Sequence, residues 1–139
     1  APDLLSPIQR AQTGNSDIIT FHNYGTAEDF VTRVKWLSAM GRPILCTEFM
    51  ARPAGSTVES ILPPAKELGV GAFCWGLVKG KTQTHLPWSH WESPGLAPEH
   101  AWFHDLFDED GTPHDPAEIE LLRLLTAIDE KTGTVAAPQ

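Results

Sequence analysis

The chain has 139 residues and a mass of 15.2 kDa, room for one core, and its 41% hydrophobic and 20% charged residues are those of a globular domain. Eighteen acidic against ten basic residues give a formal net charge of -8 with no basic cluster, so polyanions are repelled and nucleic acid is excluded as a partner. No apolar run approaches the ~20 residues of a membrane span, so a soluble chain without a membrane partner is expected.

Residues 1–16, APDLLSPIQRAQTGNS, lack the charged and apolar blocks of a signal peptide and read as an N-terminal extension, which leaves the compartment open. Asp17 to Phe21 is a short β-prone run followed by HNYG. Thr26 then caps a helix, AEDFVTRVKWLSAM, that stops at Gly41 and carries Phe30, Val31, Val34, Leu37 and Met40 as its apolar stripe, with Trp36 read as packing. Pro43 to Thr47 is the next strand and EFMARPAG the next loop. Ser56 opens a second helix, where Pro63 and Pro64 predict a kink or a late start, and Gly69 ends it. Val70 to Trp75 is a third strand.

Residues 76–114 form a long loop segment rich in aromatics and turn residues. Asp115 or Pro116 starts a last helix with Ile119, Leu122, Leu125 and Ile128 as its stripe, and 133–139 read as a frayed tail. Strand and helix alternate three times, and short apolar strands joined by helices argue parallel pairing with the helices outside, an α/β fold. Period-two alternation sets Cys46 with Glu48 and Cys74 the opposite way, which predicts two unpaired, buried thiols.

Chemistry in α/β folds sits at the carboxyl ends of strands, so HNY, EFM and WGLVKGKTQTH fall on the functional rim. The order His22-Asn23-Tyr24 after the first strand, Glu48 at the end of the second and Trp75 at the end of the third resembles the last three strands of a retaining glycoside hydrolase of the cellulase-like family 5 in clan A. That resemblance spans residues 17–131 and implies a partial (β/α) barrel of about three units. It also implies Glu48 as nucleophile, His22 and Tyr24 as its hydrogen-bond partners, Trp75 as a platform for a sugar ring, and no required cofactor. Trp88 and Trp91, in THLPWSHWESP, are further candidates for stacking a carbohydrate substrate.

The family's Asn-Glu pair, which supplies the general acid/base, has no counterpart in this chain, and Glu59 and Glu67 lie on the helix after Glu48. A retaining site needs two carboxyl groups about 5 Å apart. Two alternatives stand beside the glycosidase reading. His100 and His104 are four apart in PEHAWFHDLF, a spacing suited to zinc or another divalent metal, with Asp105, Asp108, His114, His85 or His90 as third ligands and ester or phosphoester substrates as the chemistry. The other is a catalytically idle remnant that binds carbohydrate. No Ser nucleophile elbow, Gly-rich phosphate loop or CxxC motif is present, so triad acyl transfer, nucleotide binding and redox chemistry have no support. A three-stranded parallel sheet has two unpaired edges, and a homo-oligomer is expected to cover them.

Overall fold

A computed structural model describes residues 5–92 and 102–127. Three strands, β1 (Ile19–His22), β2 (Ile44–Phe49) and β3 (Gly71–Cys74), form a sheet in the order β1-β2-β3 with both pairings parallel. Around it lie α1 (Pro7–Asn15), α2 (Ala27–Ser38), α3 (Val58–Glu67), the short α4 (Ser89–Glu92) and α5 (Pro116–Thr126). The expected alternation of strand and helix is therefore present. None of the described helices is long and apolar enough to cross a membrane.

Local chemistry sets most helix boundaries. Thr26 and Asp29 form a capping box at the start of α2, and Thr57 and Ser60 do the same for α3. The N-cap of α3 is thus Thr57 rather than the expected Ser56, whose hydroxyl is fully buried and donates to the Asn23 carbonyl while accepting from the Met50 N–H. Pro63 and Pro64 lie inside α3, where each removes a backbone hydrogen bond at a cost of about 3 kcal/mol. Burial of Val58 and Ile61 at 0% exposure, worth about 1.5–3 kcal/mol each, is of the same order and keeps the helix in place. The N-terminal stretch also holds a helix: Ser6 and Gln9 make a capping box with Pro7 at the first turn, yet α1 buries no residue.

The core is drawn from one face of the sheet. Ile19, Ile44, Cys46 and Phe49 pack against Phe30, Val34 and Leu37 of α2, Val58, Ile61 and Ala65 of α3, and Ile119 of α5. On α5, Leu122 and Leu125 are only partly buried, and Ile128 lies outside the described residues. The opposite sheet face, with Thr20, Leu45, Thr47 and Phe73, contributes nothing to this core, and Phe73 is 56% exposed.

The strand boundaries are shifted by up to two residues from the sequence reading. Asp17 and Ile18 precede β1 because Ile19 is the first residue in register, opposite Ile44, with its N–H on the Pro43 carbonyl. β2 runs on through Glu48 and Phe49 instead of ending at Thr47, and β3 is confined to Gly71–Cys74. One feature of β2 overturns the alternation argument. Phe21 pairs with Cys46 but His22 pairs with Glu48, and on the other side Cys46 pairs with Ala72 while Phe49 pairs with Cys74. Both ladders therefore pass one extra residue in β2, a bulge over Thr47–Glu48. It returns Phe49 to the core beside Cys46 and turns Glu48 toward His22. Cys46 and Cys74 consequently share the core face, the first buried and the second half-buried, and both remain free thiols. Burial pushes them up to about 11 and about 12.

Candidate active site

The bulge places the Glu48 carboxylate at the carboxyl end of the sheet, directly across from His22. The Tyr24 hydroxyl donates to Glu48 Oε2 at 2.5 Å, and His22 Nδ1 lies 3.1 Å from the same oxygen. Among the described residues Oε1 has no hydrogen-bond partner. Desolvation, then the hydrogen bond to Glu48, holds the Tyr24 phenol well above its ordinary range, so it stays protonated and acts as a fixed donor. The carboxylate remains 23% exposed and the His22 side chain 54%, so the cluster opens to solvent.

The loop after β2 is held under strain. Met50 has φ +93, a left-handed conformation that costs a non-glycine residue about 1–3 kcal/mol. Its N–H donates to Ser56 Oγ and its carbonyl accepts from His104 Nδ1, so both sides of the residue are fixed. Arg52 follows with a two-pronged ion pair to Glu118 of α5, Nε to Oε1 at 3.0 Å and Nη2 to Oε2 at 2.6 Å, and both side chains are largely buried. Its backbone N–H also reaches the Phe103 carbonyl. The turn after Glu48 is thereby tied to α5 and to the long segment.

That segment builds an aromatic wall. Trp88 meets Tyr24 edge-on with ring centres 5.3 Å apart, and His104 meets Tyr24 at 5.6 Å and Trp88 at 5.7 Å. Phe103 backs both Trp88 and His104 at 4.8 Å. Trp88 thus anchors the segment and still leaves 45% of its surface free. Trp75 follows β3, its N–H bonded to the Phe49 carbonyl, with 44% of its surface exposed. Trp91 is 57% exposed and touches His90 edge-on, with no aromatic contact to the Glu48 cluster.

The histidines expected as metal ligands fall differently. His100 lies outside the described residues. His104 is buried at 2% exposure, commits Nδ1 to the Met50 carbonyl, and is held below its ordinary pKa by desolvation, which makes it a neutral structural member of the wall. Asp108 pairs with Lys79, His114 stacks flat on Trp102, and His90 leans on Trp91. Among the described residues no group of three or more His, Cys, Asp or Glu is arranged to hold a metal ion. The sequence reading missed His104 as a wall residue and Arg52–Glu118 as a clamp. Nothing local signals either one, because each pairs residues more than fifty positions apart.

Chemically, the arrangement is a carboxylate with one oxygen held by the Tyr24 hydroxyl beside His22 and the other without a hydrogen-bond partner among the described residues, on an open rim where the half-exposed Trp88 meets Tyr24. Compared with protein-family models, with curated proteins and with solved structures, the chain matches none.

Proposed function

We propose that the chain carries the nucleophile side of a retaining β-glycosidase site and acts on β-linked polysaccharide or aryl glycosides. The observation that supports this best is the Tyr24 hydroxyl donating to Glu48 Oε2, with His22 Nδ1 3.1 Å from the same oxygen. Holding Oε2 leaves Oε1 without a hydrogen-bond partner among the described residues, and an ionised carboxylate with a free oxygen is what attack on an anomeric carbon needs. In that step the Oε1–carbon bond forms, the glycosidic carbon–oxygen bond breaks, and the departing oxygen takes a proton from a general acid. Water then cleaves the glycosyl ester. Trp75 offers the sugar ring a flat apolar face.

The fold reading belongs to the same proposal. A parallel sheet with its core on one face, an exposed Phe73 on the other and strand-end loops that carry the polar cluster fits three consecutive units of a (β/α) barrel. The second carboxyl group comes from outside the Glu48 cluster, whose only partners among the described residues are Tyr24 and His22. Self-association through the bare face and the edges of β1 and β3 would cover the exposed sheet. No observation on the described residues favours a metal-dependent hydrolase over this reading.

Aryl β-glycosides with a 4-nitrophenolate leaving group test it, because such a group departs without an acid. The unmodified chain is expected to release nitrophenolate slowly from at least one of the β-glucoside, β-xyloside and β-mannoside. Glu48→Gln, which keeps shape and removes the nucleophilic charge, is expected to abolish release with an unchanged circular dichroism spectrum. Release that persists in Glu48→Gln, or none from any substrate, contradicts the proposal.

A further inference from the structure

Ser56 joins the two loops that meet at the Glu48 cluster. Its main chain is paired both ways with Ala51, the Ala51 N–H on the Ser56 carbonyl at 2.7 Å and the Ser56 N–H on the Ala51 carbonyl at 3.3 Å. That bridge closes the turn after β2 and fixes the place from which the side chain reaches out. The hydroxyl, at 0% exposure, accepts from the Met50 N–H at 3.1 Å and donates to the Asn23 carbonyl at 3.0 Å. A serine hydroxyl is the smallest side chain that both donates and accepts strongly.

Asn23 stands between His22 and Tyr24 and is 2% exposed. Its N–H is bonded to the Glu48 carbonyl at 2.9 Å and its carbonyl to Ser56. The carbonyl that Ser56 holds belongs to the planar peptide leading into Tyr24, so the hydroxyl fixes the orientation of that plane. The phenol oxygen lies at the far end of the Tyr24 side chain, where a small tilt is magnified, and it sits 2.5 Å from Glu48 Oε2. Met50, with φ +93, sends its N–H to Ser56 and its carbonyl to His104, whose ring meets that of Tyr24 with centres 5.6 Å apart. Tyr24 is thus held through its main chain by Ser56 and along its ring by His104.

We infer that Ser56 is a positioning residue: its hydroxyl sets the peptide plane before Tyr24 and so keeps the phenol donating to Glu48. Without it the Met50 N–H and the Asn23 carbonyl lose a partner in a buried place, a cost relieved by moving the two turns apart. A misplacement of about 1 Å at a reacting group can cost roughly a hundredfold in rate. The effect on rate rests on the glycosidase reading, whereas the hold on Tyr24 is independent of any substrate.

Tyr24 is the only tyrosine in the chain, so its phenol is read directly by the Raman Fermi doublet of tyrosine, which separates a strong donor from a phenol shared with water. At neutral pH the unmodified chain is expected to show the strong-donor form, and Ser56→Ala the solvated form, with nitrophenolate release slowed about tenfold or more. In the Tyr24→Phe background Ser56→Ala is expected to slow release no further, because both changes remove the same hydrogen bond. Further slowing there, or a folded Ser56→Ala with an unmoved doublet, overturns the inference and leaves the glycosidase reading standing. A moved doublet with an unchanged rate overturns it as well, by separating the phenol from the reaction. Absence of release from the unmodified chain overturns the glycosidase reading, and the doublet then decides the hold on Tyr24 by itself. Should Ser56→Ala not fold, Ser56→Cys, whose thiol is a weak donor and acceptor, takes its place: a doublet moved partway is expected, and an unmoved one overturns the inference.

Discussion

The two faces of the sheet obey different rules. On the helix side Ile19, Cys46 and Phe49 are at most 1% exposed and pack into the apolar core, whereas on the other side His22, Glu48, Phe73 and Trp75 stay open to solvent. The first face is governed by volume: whatever fills the space between sheet and helices serves. The second is governed by direction, because a carboxylate held by Tyr24 and His22 has to face one way. One bulged residue in β2 separates the two regimes, giving Phe49 to the core and Glu48 to the rim.

The largest expected effect lies on the core face. Phe49→Ala leaves a cavity under β2 and is expected to cost about 3–5 kcal/mol, a large share of the ~5–15 kcal/mol that stabilises a domain of this size. Phe73→Ser, on the same sheet but the other face, is expected to change stability by no more than about 0.5 kcal/mol. It should also shift sedimentation at micromolar concentration toward monomer. Equal losses in urea denaturation of the two variants would erase the distinction between the faces.

Next in size is the clamp between the rim loop and α5. Arg52→Ala strands the Glu118 carboxylate, which is 7% exposed, and is expected to destabilise by about 3 kcal/mol or more. The double variant Arg52→Met with Glu118→Leu removes both charges and should recover most of that loss in thermal unfolding. An equally unstable double variant would assign the loss to packing instead of charge.

On the rim, Tyr24→Phe removes a donor to a charged acceptor, worth about 1.5–3 kcal/mol, so attack by Glu48 should slow roughly ten- to a hundredfold while stability changes far less. A fall in stability with no change in rate would move Tyr24 to the structural side of the comparison. The smallest effect is in pH. Desolvation lowers the pKa of His104, His85 and His114 from 6.5, so between their folded values and ~6.5 the unfolded chain binds more protons. Stability is therefore complete above about pH 7 and declines as the pH falls through ~6.5. His104→Asn should flatten this decline in urea midpoints, and an unchanged slope would exclude His104 as a source.

Much of the helix-side face was legible in the sequence. The Thr26 cap, the Phe30–Val34–Leu37 spacing and the Gly41 stop define α2 because a helix repeats its partners every three or four residues. The Ser6–Gln9 capping box was equally visible, but without an apolar stripe its helix escaped notice. Residue identities at the rim, His22, Tyr24 and Glu48, came from the family resemblance that their order after strands carries, and the structure brings these three together. The bulge was not legible, since Thr47–Glu48 carries no glycine or other local mark and the extra residue is defined only against β1 and β3. Contacts such as His104 to Met50 or Thr84 to Asp105 depend on how the long segment folds back, which no local pattern encodes.

The central claim is that Glu48 Oε1 is a nucleophile, and covalent trapping tests it most directly. A 2,4-dinitrophenyl 2-deoxy-2-fluoro-β-glycoside carries a leaving group that needs no acid and a fluorine that slows breakdown of the glycosyl ester, so the first step can be caught by intact mass and peptide mapping. The account predicts one fluoroglycosyl group per chain, attached to Glu48, formed more slowly in Tyr24→Phe and absent in Glu48→Gln. An adduct on another residue, or none under conditions that label a known retaining glycosidase, would contradict it.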